Sequence, residues 1–311
     1  MDFRTDLAVE RRDLFKKANK ISDDIPGIKS EDKHVSDSIH VYKVDVINKE
    51  GADAIQKPIG TYVTIDVKKM KNIQDDEKEK IAYAVSSELQ QLINKQIGPK
   101  DEILVVGLGN LYSTPDSLGP KVIQDIDVTR HIFKYLPQYI NEGDREVSAI
   151  SPGVLGSTGI ETQEILKGIV ENIKPKMIIA IDSLASKSVE RISSSIQLSD
   201  TGIIPGAGVG NKRRELSQDT LGIPVIAIGI PTVLDFATIV SEGLDLFIEN
   251  LQDKAMSNEY LNNLKEQDNY DEVKEMLNVG EYNMIVTPKE IDELVQNMTD
   301  VVARGINIAI G

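Results

Sequence analysis

The chain has no cysteine, only three histidines in 311 residues, and fewer basic than acidic side chains, 35 Lys and Arg against 50 Asp and Glu. Without cysteine there are no disulfides, no thiolate metal sites and no cysteine nucleophile. The histidines, His34, His40 and His131, leave little scope for imidazole-based metal or acid–base chemistry. A net charge of −15 sets the surface as a whole against a direct nucleic-acid partner, whose phosphates it repels. No stretch approaches the roughly 20 apolar residues of a membrane span, and Met1 to Lys17 holds no apolar signal core. Several signatures are missing too. There is no GxxxxGK[ST] phosphate loop and no HExxH zinc helix. Gly156 to Gly159 reads GSTG, not the GxSxG of a nucleophile elbow. No internal repeat or low-complexity tract is present.

What the chain does have is organised around Ile103–Gly119, ILVVGLGNLYSTPDSLG. The apolar run Ile103–Val106 is short, β-branched and bounded by glycine, which predicts a strand buried on both faces. Gly107 and Gly109 allow a sharp turn, and a helical pattern from Ser117 to Tyr135 follows Thr114-Pro115-Asp116. Upstream, Asp37–Asn48 and Gly60–Val67 read as strands that pair antiparallel. Asp75–Asn94 has helical spacing, with Ile81, Val85, Leu89, Leu92 and Ile93 on one face. Downstream, Glu146–Ile150, Met177–Ile181 and Pro224–Ile230 read as further buried strands alternating with helices, the last helix beginning near Thr287-Pro288. Arg191–Leu198 and Thr201–Ile204 read as a hairpin about Ser199-Asp200. Gln252–Gly280 is polar and charged and reads as a surface arm. The expected fold class is α/β, a mainly parallel doubly wound sheet with helices on both faces, plus an antiparallel N-terminal strand pair and a hairpin.

Two residues carry the chemistry. Asp116 follows the Ile103–Val106 strand and its loop, and Asp182 follows Met177–Ile181. Each alone fits a cap or turn residue. Together they lie just past the carboxyl ends of two parallel strands, where open α/β sheets build sites. If those strands are neighbours, the carboxylates converge and share one proton. Such a pair holds a water, one acid taking its proton while the other donates to a carbonyl oxygen. That is peptide hydrolysis with neither metal nor cysteine. Gly153 and Gly156 offer backbone N–H groups to an oxyanion, or simply form a tight strand-to-helix loop. The glycine-rich basic loop Gly206–Arg214, GAGVGNKRR, lacks the dinucleotide fingerprint.

Five segments resemble a known family: GLGN…TPDSLGPKV (Gly107–Val122), SPGVLGSTGIET (Ser151–Thr162), IAIDSLASKS (Ile179–Ser188), GAGVGNKRRELS (Gly206–Ser217) and GIPTVLDFATIV (Gly229–Val240). In this order they are similar to the germination proteases of spore-forming bacteria, and RTDLAVE (Arg4–Glu10) extends the likeness to nearly the whole length. The first segment also resembles the hydrogenase maturation endopeptidases, which share a GxGN start and carry an acidic metal-recognising residue at the place of Asp116.

The likeness to germination proteases implies an endopeptidase that degrades small acid-soluble, DNA-coating spore proteins in the spore core during germination. It implies an unusual aspartic-type enzyme, with Asp116 and Asp182 catalytic and no metal or cofactor. It also implies a zymogen and a homotetramer. Thr5–Glu10 resembles the family's own substrate motif, which places self-cleavage between Asp6 and Leu7. Residues 1–6 are then a propeptide and 7–311 one α/β catalytic domain. Acidic residues around that bond suggest that Lys187, Lys212, Arg213 and Arg214 help to hold substrate. Two other readings stand beside this one: a metal-dependent peptidase of the maturation type, and a non-enzymatic α/β binding module in which both aspartates are caps.

Overall fold

The computed structural model describes residues 7–19, 25–67, 70–186, 188–207, 213–254 and 284–311. Its strands are β1 (Ile28–Ser36), β2 (Ile39–Val46), β3 (Gly60–Val67), β4 (Ile103–Gly107), β5 (Val147–Ile150), β6 (Met177–Ser186), β7 (Ser195–Ser199), β8 (Val225–Asp235) and β9 (Ile285–Val286). The helices are α1 (Ala8–Asn19), α2 (Lys49–Ile55), α3 (Asp75–Asn94), α4 (Leu118–Gln124), α5 (Arg130–Tyr135), α6 (Leu155–Thr158), α7 (Thr162–Ile173), α8 (Gln218–Leu221), α9 (Phe236–Lys254) and α10 (Ile291–Ile310). All nine strands join one sheet in the order β1-β2-β3-β7-β8-β6-β4-β5, with β9 on β8.

The apolar runs explain the centre. β4 pairs parallel with β5 and with β6, and β6 pairs parallel with β8. Every residue of β4 is buried, as expected of a strand covered on both faces. Alternate residues feed two cores. Ile103, Val105, Ile179, Ile181, Ile226 and Ile228 meet the apolar stripes of α3, α4 and α10. Leu104, Val106, Ile178, Ala180 and Val225 meet α7 and α8 on the other face. Burying one such side chain contributes about 1.5–3 kcal/mol. An exposed pair such as Lys71–Glu290, at 2.6 Å, is screened by solvent and adds little. The layers are therefore held by their apolar faces.

The antiparallel strands extend this same sheet. β2 pairs with β3 in the register Ile39↔Val67 to Val46↔Gly60, as the sequence predicts, and β3 continues onto β7. The expected hairpin takes another form. The antiparallel neighbours of β7 are β3 and β8, while Ile203 bridges Leu216 instead. The helix expected over 117–135 is broken into α4 and α5. Between them the Thr129 hydroxyl donates to the Arg145 carbonyl at 2.5 Å and accepts from the Val147 N–H at 2.8 Å. Those bonds tie the chain to the edge strand β5 and stop the helix. The expected arm 252–280 lies, beyond Lys254, outside the described residues.

Candidate active site

β4 and β6 are neighbours, and they part company at the site. Their last ladder pair is Gly107↔Ile181, followed by one bond from the Leu108 N–H to the Ile181 carbonyl at 2.8 Å. β4 then turns away while β6 runs on beside β8 to Ser186↔Leu234. Asp182 is therefore not past a strand end, as its sequence position suggested. It lies inside β6, at the first residue beyond the reach of β4, because β8 prolongs the ladder there. Asp182 is only 4% exposed, and its Oδ1 accepts from the Ser183 N–H at 2.9 Å.

Asp116 ends a short 3-10 turn, Thr114–Asp116. Its Oδ2 accepts from the Asn110 N–H at 2.9 Å, and its own carbonyl accepts from the same N–H at 2.9 Å. The hairpin-like return is possible because Gly109 has φ +112°, where a Cβ would fall 2.1 Å from the Asp116 carbonyl oxygen. The capping role open to Asp116 is not the one it takes. Ser117 stands at the N-cap of α4, and the Asp116 carboxylate points back to Asn110. Burial pushes the Asp116 carboxyl above the ordinary aspartate range, and the Asn110 N–H partly opposes this.

Asp116 and Asp182 line the same cavity of about 300 Å3, together with Gly109, Ser183, Thr232 and the loop at Pro205-Gly206. Gly153, with φ +76°, also lines it. Gly156 lies within α6, next to Leu155, which lines the cavity. Arg213 and Arg214 reach the rim. Arg213 sits 3.9 Å from Glu161 and Arg214 sits 2.9 Å from Glu164. Lys187, Lys212 and Asp6 lie outside the described residues. Leu7 is fully buried. With Val9 it packs against Leu184, which follows Asp182 by two residues and so shares its face of β6. The Ala8 N–H donates to Gln197 Oε1 at 2.7 Å, and Glu10 accepts from the Ser186 hydroxyl at 2.8 Å.

Among the described residues, no group of three His, Asp or Glu side chains forms a metal-ligand set, and no helix is long and apolar enough to cross a membrane. The sequence reading missed Glu161 and Thr232. Thr232 lay in a segment already singled out, but nothing local marked its role.

Comparison with known proteins agrees with the motif order. The model of the germination protease family matches residues 6–262 and 249–311. The germination protease of Clostridium perfringens (strain 13) is 44% identical over 311 residues, covering 99% of this chain and 94% of its own. That of Bacillus subtilis (strain 168) is 39% identical over 344 aligned residues, covering 99% and 93%. Among solved structures, the [NiFe] hydrogenase maturation protease HycI of Thermococcus kodakarensis covers 44% of this chain and 78% of its own, at a TM-score of 0.28 and 16% identity, a likeness too slight to bear on chemistry. With full-length relatives at this identity and a family match from end to end, the chain belongs to the germination protease family, as a protease of spore germination.

Proposed function

We propose that this protease is a two-aspartate endopeptidase made as a zymogen, which degrades small acid-soluble spore proteins in the spore core and works as a homotetramer. The observation that carries the mechanism is the shared cavity of Asp116 and Asp182. A water between them loses a proton to one carboxylate as it attacks the peptide carbonyl, and the other carboxyl donates to the developing oxyanion. Burial raises the Asp116 carboxyl above the ordinary aspartate range, which suits a pair that holds one proton between its two carboxyls. Incubating the matured, purified protein with a small acid-soluble spore protein tests the reading. Fragments are expected by mass spectrometry, at an unchanged rate in the presence of a chelator. A rate abolished by chelator and restored by a divalent metal overturns the metal-independent dyad.

Processing follows from the same reading. The proposed cleavage point lies immediately before a buried anchor, since Leu7 packs with Leu184 on the Asp182 face of β6. Amino-terminal sequencing of matured protein is expected to begin at Leu7, and any other start refutes the site.

Arg213 and Arg214 border the cavity and suit a substrate with acidic residues beside the scissile bond. Their partners Glu161 and Glu164 form partly exposed pairs, of small individual strength. Reversing both charges to Glu is expected to raise KM for the spore-protein substrate about three- to tenfold, with kcat little changed, as rim charges act mainly on encounter. An unchanged KM counts against the assignment.

A further inference from the structure

Thr232 is 1% exposed and lines the cavity of the two aspartates. The ladder between β6 and β8 slips by one residue there: Leu184 pairs with Pro231 but Ala185 pairs with Val233. Thr232 is thus the extra residue of a β-bulge, a device that re-aims a side chain and is common beside active sites. The re-aimed hydroxyl donates to the Pro115 carbonyl at 2.6 Å. Pro115 is the middle residue of the turn that ends in Asp116. A second hydroxyl backs the first, because Thr287 Oγ1 donates to the Thr232 carbonyl at 2.8 Å. Thr287 directly follows β9, the short strand that pairs with β8 through Leu234↔Val286.

From this geometry we infer that Thr232 is a positioning residue. Its hydroxyl hangs the Thr114–Asp116 turn from β8 and sets where the Asp116 carboxylate stands relative to Asp182, with Thr287 bracing it from behind. The inference rests on the two-aspartate reading. Among the described residues, the hydrogen bonds of Asp116 itself stay within its own loop, to Asn110 and Ser113. Those bonds fix the shape of the loop, and the close seat of Gly119 on the β4 and β6 backbone fixes its α4 side. The Thr232 bond joins two residues that line the cavity and ties the other side of the loop to β8. A displacement of about 1 Å in a catalytic group is enough to cost up to a hundredfold in rate.

Thr232→Val keeps the shape and removes the donor. It is expected to lower kcat about tenfold with KM within about twofold, and Thr232→Ser is expected to restore most of the loss. The carboxyl titration of Asp116, followed by carbon-13 NMR, is expected to shift in Thr232→Val and to return in Thr232→Ser. If Thr232→Val lowers only the melting temperature, leaving kcat of the folded protein and the Asp116 titration as in the wild type, the positioning role is overturned. Should Thr232→Val not fold, Thr287→Val carries the same two readouts in milder form, and no change in either overturns the proposal. Asp116→Asn separates the two readings. Full activity in that variant sinks the dyad but leaves the titration test of Thr232 standing. An inactive Asp116→Asn beside an unperturbed Thr232→Val sinks the positioning role alone.

Discussion

Asp182→Asn and Asp116→Asn are each expected to yield a folded protein whose turnover of spore-protein substrate has fallen about 10²–10⁴-fold, the usual contribution of a positioned acid or base. The substitutions isolate proton transfer from structure. An asparagine at 182 keeps an oxygen to accept the Ser183 N–H, now at 2.9 Å. One at 116 keeps an acceptor for Asn110. Neither carboxylate caps a helix, so no cap is lost. Circular dichroism and thermal unfolding establish that the variants fold, and fragment formation establishes what they lost. Wild-type turnover in either variant ends the dyad and returns attention to a metal-dependent site. The pair also acts as a unit, so the double variant is expected to be no worse than the poorer single one, since residues sharing one step are not additive.

The same variants give a pH test whose sign follows from burial. Asp116 is harder to ionise in the fold than in the unfolded chain. Its folded value therefore lies above the unfolded value of about 4. Its contribution to stability is complete below that lower value and is lost as pH rises through the folded one. Asp116→Asn does not titrate and has nothing to lose. Its melting temperature, measured against the wild type, is expected to rise across that window and level off above it. A difference that stays constant with pH shows that Asp116 is no harder to ionise in the fold.

Gly119→Ala is expected to cost roughly 3 kcal/mol or more of stability, at the upper end for overpacking. A Cβ at Gly119 would stand 2.3 Å from the Leu108 carbonyl oxygen, 2.5 Å from the Leu108 nitrogen and 2.7 Å from the Ile181 carbonyl oxygen. All three are backbone atoms at the place where β4 leaves β6, so no side chain can swing aside. Relief requires α4 to lift, and the turn bearing Asp116 leads directly into α4. The variant is accordingly expected to lose activity even under conditions where it remains folded. Gly168→Ala is the internal control. Gly168 lies inside α7, with open space where its Cβ would go, and alanine is the better helix former by about 1 kcal/mol. Urea unfolding of the two variants is expected to give shifts of opposite sign. Equal stability of Gly119→Ala and wild type would contradict the close helix–strand contact.

What could be read from the sequence follows a simple physical division. α3 spans Asp75–Asn94 as its periodicity indicates, because a long amphipathic stripe is a local property of the chain. The buried centre of the sheet was legible for the same reason: ILVVG and MIIAI have few other places to go. β1 was not legible. Its sequence, IKSEDKHVS, is charged and mostly exposed, and it is a strand only because β2 offers it a ladder. The break between α4 and α5 was hidden because Thr129 finds its partners at Arg145 and Val147, too far along the chain for any local pattern to show. Of the candidate site, the two aspartates were legible from their place after buried runs, whereas Thr232 was not. Its partner, Pro115, is 117 positions away, and a threonine in a β-branched run looks like any other strand residue. The extension of β6 past Asp182 was masked by the same cause, since only β8 alongside reveals that the ladder goes on.

The path of the sheet also sets an order of assembly. β3 has two neighbours, β2 and β7, and joins the rest of the sheet only through β7, by the register Tyr62↔Ser199 to Asp66↔Ser195. Strands β1 to β3 can therefore form their meander early but have no edge to join until β7, Ser195–Ser199, has been made. The slow step of folding is then expected to be the docking of this amino-terminal wing, because pairings between distant segments pay their loop entropy first. The berth that buries Leu7 is built from residues on both sides of that late seam, namely Tyr42, Leu184 and Ile203. Leu7 accordingly cannot be seated until the chain has been made as far as Ile203.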